Sequence, residues 1–197
     1  MHKFAIAVVR QLMSQDIIEA NQEALCIYEV ERRISTFMSF CILMVVGTWV
    51  SSPLPAFAFI STVLFLRART SGYHARSYIT CLMLSIVAES IILLLILPVM
   101  TLSVCVCLMV ISYWVIWHFA PVNHMNLQLE QEELAVNKKA SRLRLVIVSL
   151  IAVGLVLFSF DMIAYSVSLG TAFTSVLIVG KQTVHLKEKQ RLKSEEN

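Results

Sequence analysis

Apolar residues run in long blocks along this chain, and the polar residues between them are clustered. Residues 37–66 are the first block, broken by Ser51-Ser52-Pro53-Leu54-Pro55. Two serines and two prolines in five residues mark a turn. The block therefore reads as a helical hairpin, roughly 36–52 and 54–68. The second arm is short against the ~20 residues a spanning helix needs, and one long kinked span is the competing reading. Residues 77–97 form the next block, and Pro98 divides it from 99–120; both have a spanning length. Residues 145–180 are apolar again except around Asp161, and split into 145–160 and 163–180.

The first 35 residues behave differently. Phe4, Val8 and Leu12, then Ile17 and Ile18, fit one helical face, and Leu25, Tyr28 and Ile34 fit a second more loosely. Neither segment is long or apolar enough to cross a bilayer, so both read as amphipathic helices on the membrane or the bundle, serving packing or substrate docking. Residues 121–144 are the long polar interior segment, with Glu130, Glu132 and Glu133 ahead of Lys138, Lys139, Arg142 and Arg144. If helical, this order suits the helix dipole and turns the bases toward an anionic inner leaflet. It reads either as a solvated connector or as a clamp for a charged substrate tail. The pattern predicts an all-α polytopic membrane helix bundle of six spans, with N-terminal amphipathic helices. It is one integral membrane domain: an interfacial region 1–35, the bundle 36–180 and a cytoplasmic tail 181–197.

Composition strengthens this reading. Apolar residues make up 58% of the chain and charged residues 15%, against about 25% charged in soluble domains. Lipid is the solvent for most of such a chain. The net charge of +3 is too small to point to nucleic acid. Charge placement sets the span count. All 16 Lys and Arg fall within residues 3–33, 67–76, 138–144 and 181–193, and the connections 51–55, 97–101 and 161–162 hold none. Six spans put every basic segment on one side, which the positive-inside rule makes cytoplasmic. Five would set Arg32 and Arg33 opposite Arg67, Arg69 and Arg76. The apolar run after Lys3 is broken at Arg10 and Gln11 with no small-residue cleavage site behind it, so insertion is expected to rest on the internal spans.

The chemistry gathers in one polar break, residues 67–81, which reads R-A-R-T-S-G-Y-H-A-R-S-Y-I-T-C. A cysteine becomes a useful nucleophile beside cations and an imidazole. Cys81 has His74 seven residues away, with Arg67, Arg69 and Arg76 close by. On a straight helix seven residues span about 10.5 Å, and a thiol–imidazole pair needs roughly 3–4 Å. The pair can react only if the helix starts near Ser77 and the segment Gly72-Tyr73-His74 curls back over Cys81. First-turn N–H groups of that helix, or Arg67, could then face an oxyanion. Ser77, Ser85 and Glu89 are the candidates for orienting His74; Glu89 lies two turns deeper and is otherwise a buried polar contact. Cys26, Cys41, Cys105 and Cys107 are expected to be small apolar fillers. Cys105 and Cys107 point about 200° apart on a helix, a poor metal pair. His118 and His124 read as interfacial polar residues. No cofactor or metal is expected, and no disulfide framework.

The residues Arg67, Gly72-Tyr73-His74-Ala75 and Cys81 resemble the accessory gene regulator B (AgrB) family of membrane peptidases. So do Glu89-Ser90-Ile91-Ile92 ahead of Pro98, and Phe119-Ala120-Pro121-Val122 ahead of the run Lys138-Lys139-Ala140-Ser141-Arg142; the likeness covers about 25–180. It implies a membrane cysteine peptidase that cuts an AgrD-like propeptide at the cytoplasmic face. Cys81 would be the nucleophile and His74 its general base, with Arg67 and Gly72 as family-required positions. The acyl-enzyme would pass to a substrate thiol, closing the thiolactone ring of a quorum-sensing peptide precursor. Ser71 stands where many members have a glycine, and Asn123-His124-Met125-Asn126 where relatives often carry a lysine–proline pair; both departures bear on substrate identity. A homodimer is compatible with spans this short. From the residues alone, a non-enzymatic transporter subunit or peptide-binding scaffold remains the other reading, with Glu89 and Asp161 marking a pathway.

Overall fold

The computed structural model describes residues 2–13, 23–70, 78–121 and 131–195, which contain no strand. The described helices are α1 (His2–Met13), α2 (Glu23–Val50), α3 (Pro53–Thr70), α4 (Tyr78–Ile91), α5 (Leu102–Phe119), α6 (Gln131–Leu157) and α7 (Asp161–Glu195). Five stretches among them are long and apolar enough to cross a membrane: Cys26–Val50, Tyr78–Val99, Leu102–Phe119, Leu134–Leu157 and Asp161–Thr183. The chain is thus an all-α, multi-pass membrane protein. The sixth expected span is α3, which falls short because Arg67 and Arg69 close its 18 residues. It is nonetheless well packed, burying Ala56, Phe59, Ile60, Val63 and Leu66.

The chain divides into two compact units, residues 1–45 and 46–197. The first holds α1 and most of α2. On α1, Val9 is buried while Ala7, Arg10 and Gln11 are exposed, an amphipathic division. On α2, the exposed Arg32 guanidinium donates to Glu29 Oε2 at 2.8 Å one turn back, a pair that supports a helix by a few tenths of a kcal/mol. The hydroxyls of Thr36 and Ser39 donate to the carbonyls of Arg32 and Ser35, at 2.8 and 2.9 Å. The charges at 29–33 therefore end nothing. The amphipathic helix and the first span expected on either side of residue 35 are one helix of 28 residues.

The second unit is built around α7. Its membrane stretch is 56% buried, the others 11–22%. The buried face is made of small residues, with Ala164, Ser166, Ser168, Gly170, Thr171, Thr174 and Ser175 all inside. Small side chains let helices approach closely where lipid offers no hydrophobic drive between them. A Cβ on Gly170 would meet the Phe59 carbonyl oxygen of α3 at 3.0 Å and Thr62 Cβ at 3.1 Å. The buried hydroxyls are satisfied inside the bundle. Ser168 donates to the Cys105 carbonyl on α5 at 3.1 Å, and Thr171 and Thr174 donate to carbonyls one turn back. Around them Leu66, Ile116, Leu145, Val148, Val167 and Ile178 join α3, α5, α6 and α7 in one apolar core.

The breaks have identifiable causes. Pro53 opens α3 at the expected turn. Pro98 has no N–H for the carbonyl four residues back, and its ring displaces that carbonyl. The helix widens ahead of it into a π turn (Ile92–Ile96), with the Leu97 N–H reaching the Ile92 carbonyl, then closes in a 3-10 turn (Leu97–Val99). At the end of α6, Phe160 N donates to Leu155 O at 2.8 Å and Ser159 N to Val156 O at 3.0 Å. With Ser159 at φ 60°, this is a Schellman cap with serine in the glycine position. From Gln131 onward the polar segment and the span after it form one helix, α6. Likewise α7 runs unbroken from the bundle into the expected tail, to Glu195.

Candidate active site

Arg67 lies in the last turn of α3 and Cys81 in the first turn of α4. The described part of α4 begins at Tyr78; the start expected near Ser77 lies outside the described residues. Arg67 Nη2 donates to Cys81 Sγ at 3.8 Å. This is a contact across 14 residues of chain, and it sets a fixed positive charge on the thiol. Ser85 Oγ donates to the Cys81 carbonyl at 2.9 Å, which stiffens that turn. First-turn N–H groups of a helix lack intrahelical acceptors and favour negative charge beside them. The sulfur thus has a guanidinium as its charged neighbour, in the first turn of α4.

A cavity of about 240 Å³ opens beside this pair. On α4, Cys81, Leu84, Ser85 and Ala88 share one face, at i, i+3, i+4 and i+7. Phe173 and Leu177, one turn apart on α7, form the facing wall. The Phe59 and Phe173 rings lie 6.1 Å apart, tying that wall to α3. Phe173 and Leu177 were not singled out from the sequence. They lie about 90 residues beyond Cys81 in an apolar run, with no polar signal to distinguish them.

The end of the bundle that carries Arg67 is ringed with cations fixed by geometry. Arg69 Nη1 donates to Asn137 Oδ1 at 3.0 Å. Arg144 Nη1 donates to the Phe65 carbonyl at 2.7 Å and its guanidinium lies 4.7 Å from that ring. The Arg142 guanidinium stacks 4.4 Å over Trp117, which itself stacks on Tyr113. Such cation–π contacts hold arginines at an apolar–polar boundary. They also bind the middle of α6 to α3 and α5.

Glu89 is 2% exposed, and neither carboxyl oxygen has a hydrogen-bond partner among the described residues. It is eight residues beyond Cys81, about 12 Å along the helix axis, and does not line the Cys81 cavity. It faces Gly47 of α2, where a Cβ would come within 2.5 Å of Glu89 Oε1 and 2.8 Å of Ala56 Cβ. His74 and Gly72 fall within residues 71–77, outside the described residues, as does the proposed curl over Cys81. Of the remaining cysteines, Cys105 is buried, Cys26 half-buried, and Cys41 and Cys107 face outward from their apolar helices; the filler role thus fits Cys105 best.

The fold and this site define a class: a helical membrane protein with a single thiol held by an arginine at the mouth of an intramembrane cavity. The sequence profile described as Accessory gene regulator B matches residues 5–178, and the chain belongs to that family. Membership ties it to propeptide processing in agr quorum sensing. No curated protein and no solved structure matches the chain.

Proposed function

We propose that this chain is a membrane cysteine endopeptidase acting on an AgrD-like propeptide at the cytoplasmic face of the cell membrane, with both termini on that side. The observation that carries the reading is the Arg67–Cys81 contact at the mouth of the cavity. In the proposed reaction His74 takes the Cys81 proton, and the sulfur attacks the scissile carbonyl carbon. Arg67 and the first-turn N–H groups of α4 stabilise the oxyanion, the kind of term that contributes most in acyl transfer. The C–N bond breaks, the leaving amine takes the proton from His74, and a thioester to Cys81 remains. A substrate cysteine then gives its proton to His74 and attacks the thioester carbon. Cys81 leaves as thiolate and is reprotonated, and the product is a thiolactone. One thioester replaces another, so the activated acyl group is conserved. Gly72 supports the bend that brings His74 over α4, and Glu89 supports the helix that carries the nucleophile. Supporting this assignment, Cys81 lines its cavity together with the guanidinium that contacts its sulfur.

The test is co-expression with a cognate propeptide and mass analysis of the products. Cys81→Ala and His74→Ala should each abolish conversion at unchanged membrane levels. Conversion that survives Cys81→Ala would leave the chain a non-enzymatic scaffold or transporter subunit.

A further inference from the structure

We propose that the cavity formed by Leu84, Ala88, Phe173 and Leu177 is the specificity pocket for the residue whose carbonyl is attacked, and that it selects an apolar side chain of leucine to phenylalanine size. This rests on the assignment of Cys81 as the acyl-forming nucleophile. Four aliphatic or aromatic side chains line the cavity, together with Arg67, Cys81 and Ser85. A cavity of about 240 Å³ has room for roughly eight water-sized particles at ~30 Å³ each. That is the scale of the four carbons of a leucine or the seven of a phenylalanine side chain. With a mainly apolar lining, an apolar group enters it at little desolvation cost and a charged one at a higher cost.

The geometry of the chemistry chooses which substrate residue enters. In the acyl-enzyme the attacked carbonyl carbon is bonded to Cys81 Sγ, and its own side chain starts one atom away. The segment beyond the broken bond leaves. The acyl residue must stay fixed while the ring-closing thiol approaches, and a pocket reaching from the sulfur along α4 between Ala88 and Phe173 holds it there. Charged acyl residues are rejected by the same walls.

Peptidyl chloromethyl ketones test this without the natural substrate. The Cys81 thiolate displaces chloride from their methylene, forming a thioether, while the residue before the ketone occupies the proposed pocket. The full chain in lipid nanodiscs is exposed to four acetyl-Ala-Ala-X-chloromethyl ketones, with X as Ala, Leu, Phe or Asp. The Cys81 adduct is timed by peptide mass mapping, with iodoacetamide as the control that has no side chain to seat. Leu and Phe ketones should label Cys81 at least about tenfold faster than Asp. Ala88→Phe fills the pocket and should lower the Phe-to-Ala rate ratio by about tenfold. Leu177→Ala enlarges the pocket and should raise that ratio. Val87→Phe, at a position 56% exposed on α4 outside the pocket, should not change it. Equal rates for all four ketones, or a ratio altered as much by Val87→Phe as by Ala88→Phe, would overturn the pocket and leave the thiol assignment standing. Iodoacetamide labelling of Cys81 with no labelling by any ketone would overturn the thiol-peptidase assignment and the pocket together.

Discussion

A thiol at the start of a helix is common, but Cys81 differs in having a guanidinium 3.8 Å from its sulfur in a largely apolar setting. A neutral thiol gains little from such a neighbour; a sulfur or carbonyl oxygen taking on negative charge gains much more, because the surroundings screen poorly. Arg67 is therefore expected to act on the rate of propeptide cleavage rather than on membrane abundance. Arg67→Gln keeps hydrogen-bond donors and loses the charge, and conversion in isolated membranes should fall about 10²–10³-fold, the effect of losing one oxyanion donor. Arg67→Lys keeps the charge on a flexible stem without the planar fork, and should fall between Gln and wild type. Equal activity of Gln and wild type would remove Arg67 from the chemistry. Glu89 poses the opposite case. Its buried carboxyl has no partner among the described residues and can be held in such a place only in neutral form at tolerable cost. Glu89→Gln copies that neutral shape and should preserve the membrane level measured by immunoblot. Glu89→Lys should lower it, because an ammonium at a site 2% exposed would be a buried charge.

At the scale of the helices, the contact of α3 with α7 carries the site, since Arg67 rides on one and Phe173 and Leu177 on the other. Gly170 is the closest approach. Its missing Cβ leaves room for the Phe59 carbonyl, a backbone atom that cannot swing aside. Gly170→Ala should therefore separate the helices and cost about 1–3 kcal/mol, as overpacking in a filled core does. The readout is a lower midpoint of thermal aggregation in detergent, with cleavage reduced as the wall moves away from Cys81. At Gly47 the nearest atom is the movable end of Glu89, but Ala56 Cβ at 2.8 Å is fixed to α3 and makes Gly47→Ala costly as well. The sequence carries the turns of this architecture plainly, because Pro53 and Pro98 leave backbone groups that no helix can satisfy. It hides the joins. Glu29, Glu31, Arg32 and Arg33 look like a boundary, yet charges on an exposed face are neutral to a helix, and α2 runs through them. The polar halves of α6 and α7 are continuous with their spans for the same reason. At the site, Arg67 and Cys81 stood out as a polar break, whereas Phe173 and Leu177 look like any apolar pair until the fold sets them across the cavity from Cys81.

Across the whole molecule, the placement of charge makes the most exposed claim about topology. The turn around Ser52–Pro55 and the turn around Ser159–Ile163 meet at one end of the second unit, where they line an open cleft of about 600 Å³. Asp161 is the lone charged residue in that lining. Arg67 and Arg69 lie at the other end of α3, where Arg67 contacts Cys81 and Arg69 donates to Asn137, while Arg142 and Arg144 on α6 donate to the carbonyls of Trp117 and Phe65. Positive charge kept to one end is the pattern that fixes orientation during insertion, and under the proposed function that end, with Cys81, is expected on the cytoplasmic side. Although α3 is too short and too polar by composition to count as a span, its two ends lie at these two faces. The proposed orientation therefore predicts a sixth crossing at α3, beside the five stretches long and apolar enough to span, with α3 held by α7 rather than by lipid. Single cysteines introduced after replacing Cys26, Cys41, Cys81, Cys105 and Cys107 by serine or alanine make this measurable. Ser52→Cys and Ser159→Cys should react in intact cells with a membrane-impermeant maleimide. Arg69→Cys and Lys138→Cys should react only after the cells are opened. Labelling of Arg69→Cys from outside would invert the bundle and place the thiol away from a propeptide made in the cytoplasm. Labelling of Ser52→Cys only after lysis would mean that α3 does not cross, and that five helices rather than six set the sides of the membrane.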